Sequence, residues 1–258
     1  MMDFLYDLTF EPWGIAILCV LALTVWIGLS VLFYRVFFKR FYDIFLSGLA
    51  LIVLSPILLV LIVLGAIKMK GNPFFTQLRP GKNEKIFKLI KFRTMTCEKD
   101  ENGDLLPDEQ RLTKYGKLLR STSLDELPEL LNIFVGHMSI VGPRPQLVRD
   151  MVFMSDEQRL RHSVRPGLTG LAQVMGRNNI SWEEKFDWDL KYIKKGITAF
   201  GDVKIILLTV KKVFFREDTV REGTVSDIDF GDYLLELGQI DQEEYDIKQA
   251  QAKELLKV

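Results

Sequence analysis

From Trp13 to Tyr34 the chain carries no charged side chain: WGIAILCVLALTVWIGLSVLFY. About 20 apolar residues in a row are enough to cross a bilayer as a helix. Aromatic residues bracket the run, with Trp13 at one end and Phe33 and Tyr34 at the other, as suits a membrane interface. The run is too long for the apolar core of a secretory signal, and no small-residue cleavage site follows it. Asp3, Asp7 and Glu11 precede it and Arg35, Lys39 and Arg40 follow it. The positive-inside rule therefore predicts an N-terminus outside and Arg40 in the cytoplasm.

A second apolar run, Phe45–Ile67, does not read as a simple span. Cations flank both of its ends, since Lys68, Lys70, Arg79, Lys82, Lys85 and Lys88 follow it. Ser55-Pro56 lies near its centre, where proline removes one helical hydrogen bond and clashes with the preceding turn. The Ser55 hydroxyl can satisfy a carbonyl freed there. Two readings stay open on the residues alone: a proline-kinked span, or a re-entrant helix that breaks at Ser55-Pro56 and returns to the cytoplasmic face.

The remainder is polar enough to fold in water. Over the whole chain 48% of residues are hydrophobic and 26% charged, so a polar domain is joined to a membrane-embedded part. The formal net charge of +0 hides a partition: a basic middle and an acidic stretch after Arg216. Two cysteines, Cys19 and Cys97, offer neither a disulfide framework nor metal-ligand spacing. After Gly71, NPFFTQLRPG and KIFKLIKFRTM predict two short strands joined by a Gly-Lys-Asn turn. A polar loop, EKDENGDLLPDEQ, precedes RLTKYGKLLRST, which places Leu112, Tyr115, Leu118 and Leu119 on one helical face among basic residues. DVKIILLTVKKVFFR (Asp202–Arg216) repeats the pattern, with Asp202 expected as N-cap. Each helix suits either an anionic membrane surface or the domain core.

Between the two basic helices lies STSLDELPEL (Ser121–Leu130). Ser123-Leu-Asp-Glu126 fits a capping box, which would make Asp125 and Glu126 ordinary first-turn carboxylates. The same place has a chemical use. A helix start attracts phosphate, and its dipole favours an ionised Asp125 that can attack phosphorus. Mg²⁺ needs only one or two carboxylates plus substrate phosphates, and Arg120 can neutralise a second phosphate.

Downstream come GHMSIVGPRPQL, RPGLTGLAQVMGRNN and WEEKFDWDLKYI. With KFRTM, SLDELPEL and the Ser-Pro break, this ordered set resembles the bacterial sugar transferases, in particular the monotopic phosphoglycosyl transferases, over roughly Lys39 to Arg216. The resemblance implies transfer of a sugar-1-phosphate from a UDP-sugar to undecaprenyl phosphate, releasing UMP, by a ping-pong route. It implies the re-entrant form for Ser55-Pro56, Asp125 as nucleophile, and Glu126 as its partner in a Mg²⁺ site. It places Arg120 near the acceptor phosphate, and Pro143, Arg144 and Pro145 near the nucleotide. Arg177, Asn178 and Asp189 match further family elements, with Lys91 and Arg93 as weaker substrate-binding candidates. His137, where many relatives carry an acid, is given no role.

The expected architecture is an α+β membrane protein: residues 1–40 a transmembrane helix, 41–70 a re-entrant helix, 71–216 a cytoplasmic catalytic domain with interfacial helices. Residues 217–258 form an acidic tail resembling a short helix–turn–helix motif, suited to docking or self-association. The expected setting is the bacterial inner membrane, with its lipid as a partner and no nucleic acid. Two other readings remain: a non-catalytic adaptor that binds polyprenol phosphate, and direct transfer in a ternary complex.

Overall fold

A computed structural model describes residues 12–176, 180–215 and 228–257. The charge-free run forms α1 (Pro12–Leu32), which is long and apolar enough to cross a membrane. Its side chains are exposed along nearly its whole length. A short π-helical turn, Tyr34–Phe38, leads into α2 (Lys39–Val53). Leu54 then breaks the path, and α3 (Ser55–Lys68) leaves with a bend of 65°. Pro56 falls in the first turn of α3, where a missing N–H is harmless, and Ser55 Oγ donates to the Ile52 carbonyl at 2.8 Å.

The bent pair forms the floor of the polar domain. Strands β1 (Phe74–Pro80) and β2 (Ile86–Phe92) make an antiparallel hairpin pairing Phe74 with Phe92 and Pro80 with Ile86. Helices α4 (Asp108–Arg111) and α5 (Lys114–Ser121) follow the polar loop. Then come a 3₁₀ turn (Leu124–Glu126) and α6 (Glu129–Val135). Strand β3 (Ser139–Val141) pairs in parallel with β4 (Gly167–Thr169), and the crossover carries α7 (Val148–Met151) and α8 (Asp156–Arg159). The chain continues through α9 (Leu171–Met175), α10 (Trp182–Lys191) and α11 (Ala199–Phe215). Two tail helices, α12 (Phe230–Glu236) and α13 (Gln242–Leu255), complete it.

Apolar contacts tie the membrane-type helices to this domain. Ala50, Leu51 and Leu54 pack on Phe87, Leu89, Leu130 and Ile133, while Leu61 of α3 packs on Phe92 and Leu119. Gly116 permits the closest approach: a Cβ there would lie 1.9 Å from the Thr94 carbonyl oxygen. The cations that follow α1 do more than mark an interface. Lys39 Nζ donates to Asp202 Oδ2 at 2.6 Å and to the Val141 carbonyl at 2.9 Å. Arg40 donates to the Ile133 and Phe134 carbonyls at the end of α6, where a cation complements the helix dipole.

Three local expectations are corrected. Helix α11 begins at Ala199, so Asp202 is not its N-cap; Thr198 Oγ1 accepts the Gly201 N–H at 3.0 Å instead. Asp202 is spent on Lys39 and on the Tyr34 and Tyr192 hydroxyls. Leu118 is 56% exposed and Leu112 lies ahead of α5, so only Tyr115 and Leu119 of the expected face turn inward. Ser123 makes no capping hydrogen bond, because it sits in the left-handed region at φ 55°.

Candidate active site

The left-handed Ser123 ends the α5 path and turns the chain into the 3₁₀ turn that carries Asp125 and Glu126. Leu124 and Leu127 anchor that turn against the apolar cluster of Leu61, Phe92 and Leu119. The acidic pair is thereby held directly beside the bent helices, facing a cavity of ≈ 1700 Å³. Pro128 follows in a helical conformation, and α6 starts at Glu129.

Glu126 is a fixed anion. Its Oε1 accepts from Arg144 Nη2 at 2.6 Å and from Lys91 Nζ at 2.8 Å. Burial alone would raise its pKa, but Arg144 and Lys91 outweigh burial and hold it well below the usual carboxylate range. Glu129, 2% exposed, lies 3.1 Å from the same Lys91 ammonium. Burial, reinforced by the Glu126 charge, pushes the Glu129 carboxyl up to about 7. Asp125 differs again: among the described residues its carboxylate makes no hydrogen bond or close ion pair, and it lines the cavity. Burial, then the neighbouring Glu126, pushes its pKa up. The expectation that a helix dipole keeps Asp125 readily ionised is thus outweighed locally by desolvation and like charge.

Basic residues surround the pair. Arg120, at the end of α5, donates from Nε to Thr94 Oγ1 at 3.1 Å and lines the cavity. Arg93 also lines it, and its guanidinium approaches Cys97 Sγ at 3.5 Å. The loop from Pro143 to Leu147 carries Arg144, with Pro145 also on the cavity wall. Three cross-links set that loop. The Gly167 N–H donates to the Pro143 carbonyl at 2.9 Å, Arg161 Nη2 to the Arg144 carbonyl at 2.8 Å, and Arg79 Nη1 to the Pro145 carbonyl at 3.2 Å. Asp189 binds Arg161 through Oδ2, at 3.1 Å from Nε and 2.7 Å from Nη2, and both side chains are almost fully buried. Asp189 therefore acts on the site through Arg161 and the Arg144 backbone. Arg177 and Asn178 lie outside the described residues.

The structure brings Asp125, Glu126, Lys91, Arg93, Arg120, Arg144 and Asp189 to one cavity. Sequence reasoning passed over Glu129, Arg79 and Arg161. Glu129 carried a signal, since it follows Glu126 by three residues, but it reads equally well as first-turn helix charge. Arg79 and Arg161 gave none beyond their charge. Arg79 lies in an expected strand and Arg161 in a stretch given no element, and only the fold points them at the Arg144 loop.

No cluster of three or more metal-type ligands occurs among the described residues. Both cations use Oε1 of Glu126, neither bonds Oε2, and Glu126 and Asp125 both line the cavity. That donor set suits Mg²⁺, which takes one or two carboxylates and completes its shell with water and phosphate oxygens.

An apolar N-terminal helix and a bent apolar pair are compatible with membrane association, and the carboxylate dyad beside them is ringed by cations. Residues 34–216 match the bacterial sugar transferase family, and the chain belongs to it. It is 48% identical over 179 residues to the uncharacterized sugar transferase EpsL of Bacillus subtilis, covering 69% of this chain and 88% of that one. It is 43% identical over 192 residues to the UDP-glucose:undecaprenyl-phosphate glucose-1-phosphate transferase of Klebsiella pneumoniae, covering 70% of this chain but 41% of the relative. To the exopolysaccharide production protein ExoY of Sinorhizobium fredii it is 38% identical over 198 residues, with 68% and 84% covered. The chain thus spans less than half the length of the Klebsiella relative and most of the length of the other two.

Proposed function

We propose that the chain transfers a sugar-1-phosphate from a UDP-sugar to undecaprenyl phosphate, giving undecaprenyl-diphospho-sugar and UMP. The observation that carries this reading is the contrast within the dyad. Glu126 is pinned by Arg144 and Lys91, while the adjacent Asp125 carboxylate faces the cavity with no such partner among the described residues. The names of the Klebsiella and Sinorhizobium relatives support the substrate class and a role in exopolysaccharide assembly.

In the first displacement an Asp125 oxygen attacks the phosphorus that bears the sugar. The bond from that phosphorus to the bridging oxygen breaks, and UMP leaves with the electron pair. In the second, an oxygen of undecaprenyl phosphate attacks the same phosphorus, the bond to Asp125 breaks, and the carboxylate is restored. Arg144, oriented by Glu126, stabilises charge on the departing nucleotide, and Arg120 receives the acceptor phosphate. Lys91 keeps Glu126 and Glu129 from repelling the donor. Asp125 and Glu126 would hold Mg²⁺, which would supply charge neutralisation to the diphosphate.

The bent α2–α3 pair fits a re-entrant helix that sets Asp125 at headgroup depth in the bacterial inner membrane, with the domain cytoplasmic and the N-terminus outside. The exposed stripe Phe200, Val203, Leu207 and Val210 on α11 fits the same interface. UMP release from a panel of UDP-sugars with undecaprenyl phosphate and Mg²⁺ tests the reading. Release with at least one sugar is expected, and none with any sugar would refute it.

A further inference from the structure

The match to the family ends at residue 216, yet part of the cavity wall comes from beyond it. Ile228 and Asp229 line the same cavity as Asp125. Asp229 Oδ2 lies 2.5 Å from Arg149 Nη2, and Arg149 also lines the cavity. The next residue, Phe230, is 3% exposed, with its ring 5.1 Å from both Trp182 and Phe186 of α10.

The backbone of Phe230 reaches the Arg144 loop through one side chain. Asp150 is 2% exposed; its Oδ1 accepts the Phe230 N–H at 3.0 Å and its Oδ2 accepts the Leu147 N–H at 3.0 Å. One carboxylate therefore joins the start of the tail to the end of the loop that holds Arg144. The tail helices are fastened behind it. Gly231 lies against Phe153, where a Cβ would come within 2.5 Å of the ring, and Ala252 of α13 packs on Val148 and Met151 with 1% exposure. Part of the tail's apolar surface is thus used on its own chain, while Leu237, Ile247, Leu255 and Leu256 stay exposed.

We propose that residues 228–255 complete the nucleotide-sugar pocket: Asp229 and Phe230, through Arg149 and Asp150, are positioning residues that hold the Arg144 loop for the donor. This rests on the transferase reading above. A tail that only stabilised the fold would change the amount of active enzyme, which lowers apparent kcat and leaves KM alone. A tail that positions the donor wall raises the KM for the UDP-sugar and leaves the KM for undecaprenyl phosphate unchanged.

The test uses the full chain in lipid nanodiscs, comparing wild type with Asp229→Asn, Phe230→Ala and Phe230→Leu. Donor KM, acceptor KM and the Kd for UDP are measured for each. Phe230→Ala keeps the backbone N–H but removes the ring that seats it between Trp182 and Phe186, and is expected to raise donor KM and the UDP Kd about 10-fold, equivalent to about 1.4 kcal/mol. Phe230→Leu should restore part of that loss by refilling the pocket between Trp182 and Phe186. Asp229→Asn removes an ion pair to a half-exposed arginine and keeps the fold, so it decides the matter if Phe230→Ala does not fold. Its expected result is a raised donor KM. Wild-type binding of UDP with variants that match it, or an acceptor KM that moves as far as the donor KM, overturns this proposal alone. Wild type that neither binds UDP nor releases UMP refutes the transferase reading, and this proposal with it.

Discussion

Three carboxylates within about one turn of one another, Asp125, Glu126 and Glu129, have been given unlike chemical characters by their neighbours. Glu126, between Arg144 and Lys91, is a permanent anion; Glu129, facing the same ammonium from deeper burial, holds its proton to about 7. The folded protein therefore keeps a proton on Glu129 that the unfolded chain releases near its ordinary value of 4.5. Stability contributed by that group is present below the unfolded value and is lost as pH rises toward 7. Thermal midpoints measured from pH 5 to 8 without divalent cations should fall, and Glu129→Gln should flatten the fall. An unchanged slope in Glu129→Gln would remove Glu129 from the account. Arg144→Lys should lower UMP release about 10- to 100-fold, because an ammonium cannot hold Glu126 and a phosphate with one planar fork. Activity near wild type would show that charge alone suffices there. Asp125, Glu126 and Arg144 stood out in the sequence because each lies in a short motif that resembles those of the sugar transferases, whereas the acidic pair by itself reads as a helix start. Arg161 and Arg79 did not, since their roles come from carbonyls 17 and 66 residues away.

Secondary structure was legible where one physical signal dominated. The hairpin followed from two β-rich runs around Gly81, and the break at Ser55-Pro56 followed from proline's missing donor. Reading failed where side chains were claimed by tertiary partners. Asp202 looked like a cap but belongs to a buried network with Lys39, Tyr34 and Tyr192, which moves the start of α11 to Ala199. The parallel pair β3 and β4 is too short, at three residues each, to show a period. At this scale Gly116 is the sensitive point, for it lets α5 lie on the Thr94 backbone and so places Arg120. Gly116→Ala must push that helix away from the Thr94 carbonyl. It should destabilise the protein by about 1–3 kcal/mol, as overpacking does, and reduce activity along with it. A thermal midpoint equal to wild type would contradict that packing.

Across the whole molecule, apolar helices and the polar site are one construction rather than an anchor tied to an enzyme. Leu124 and Leu127, which flank the acidic pair, pack in the cluster that includes Leu61 of the bent helix, so Asp125 is held at a fixed place beside that helix. If α2 and α3 are re-entrant, single cysteines introduced at Gly71 and Lys114, in a background lacking Cys19 and Cys97, should both react only from the cytoplasmic side. Labelling of Gly71→Cys from outside would mean a span instead. The order of chemical steps is open to direct measurement. Protein in nanodiscs is mixed with an accepted UDP-sugar and Mg²⁺ without undecaprenyl phosphate, quenched, and read for UMP and intact mass. The account requires a burst of UMP equal to the enzyme and a sugar-phosphate mass on Asp125, both absent from Asp125→Asn. Turnover that proceeds with acceptor present, yet yields neither burst nor adduct without it, would contradict the covalent route.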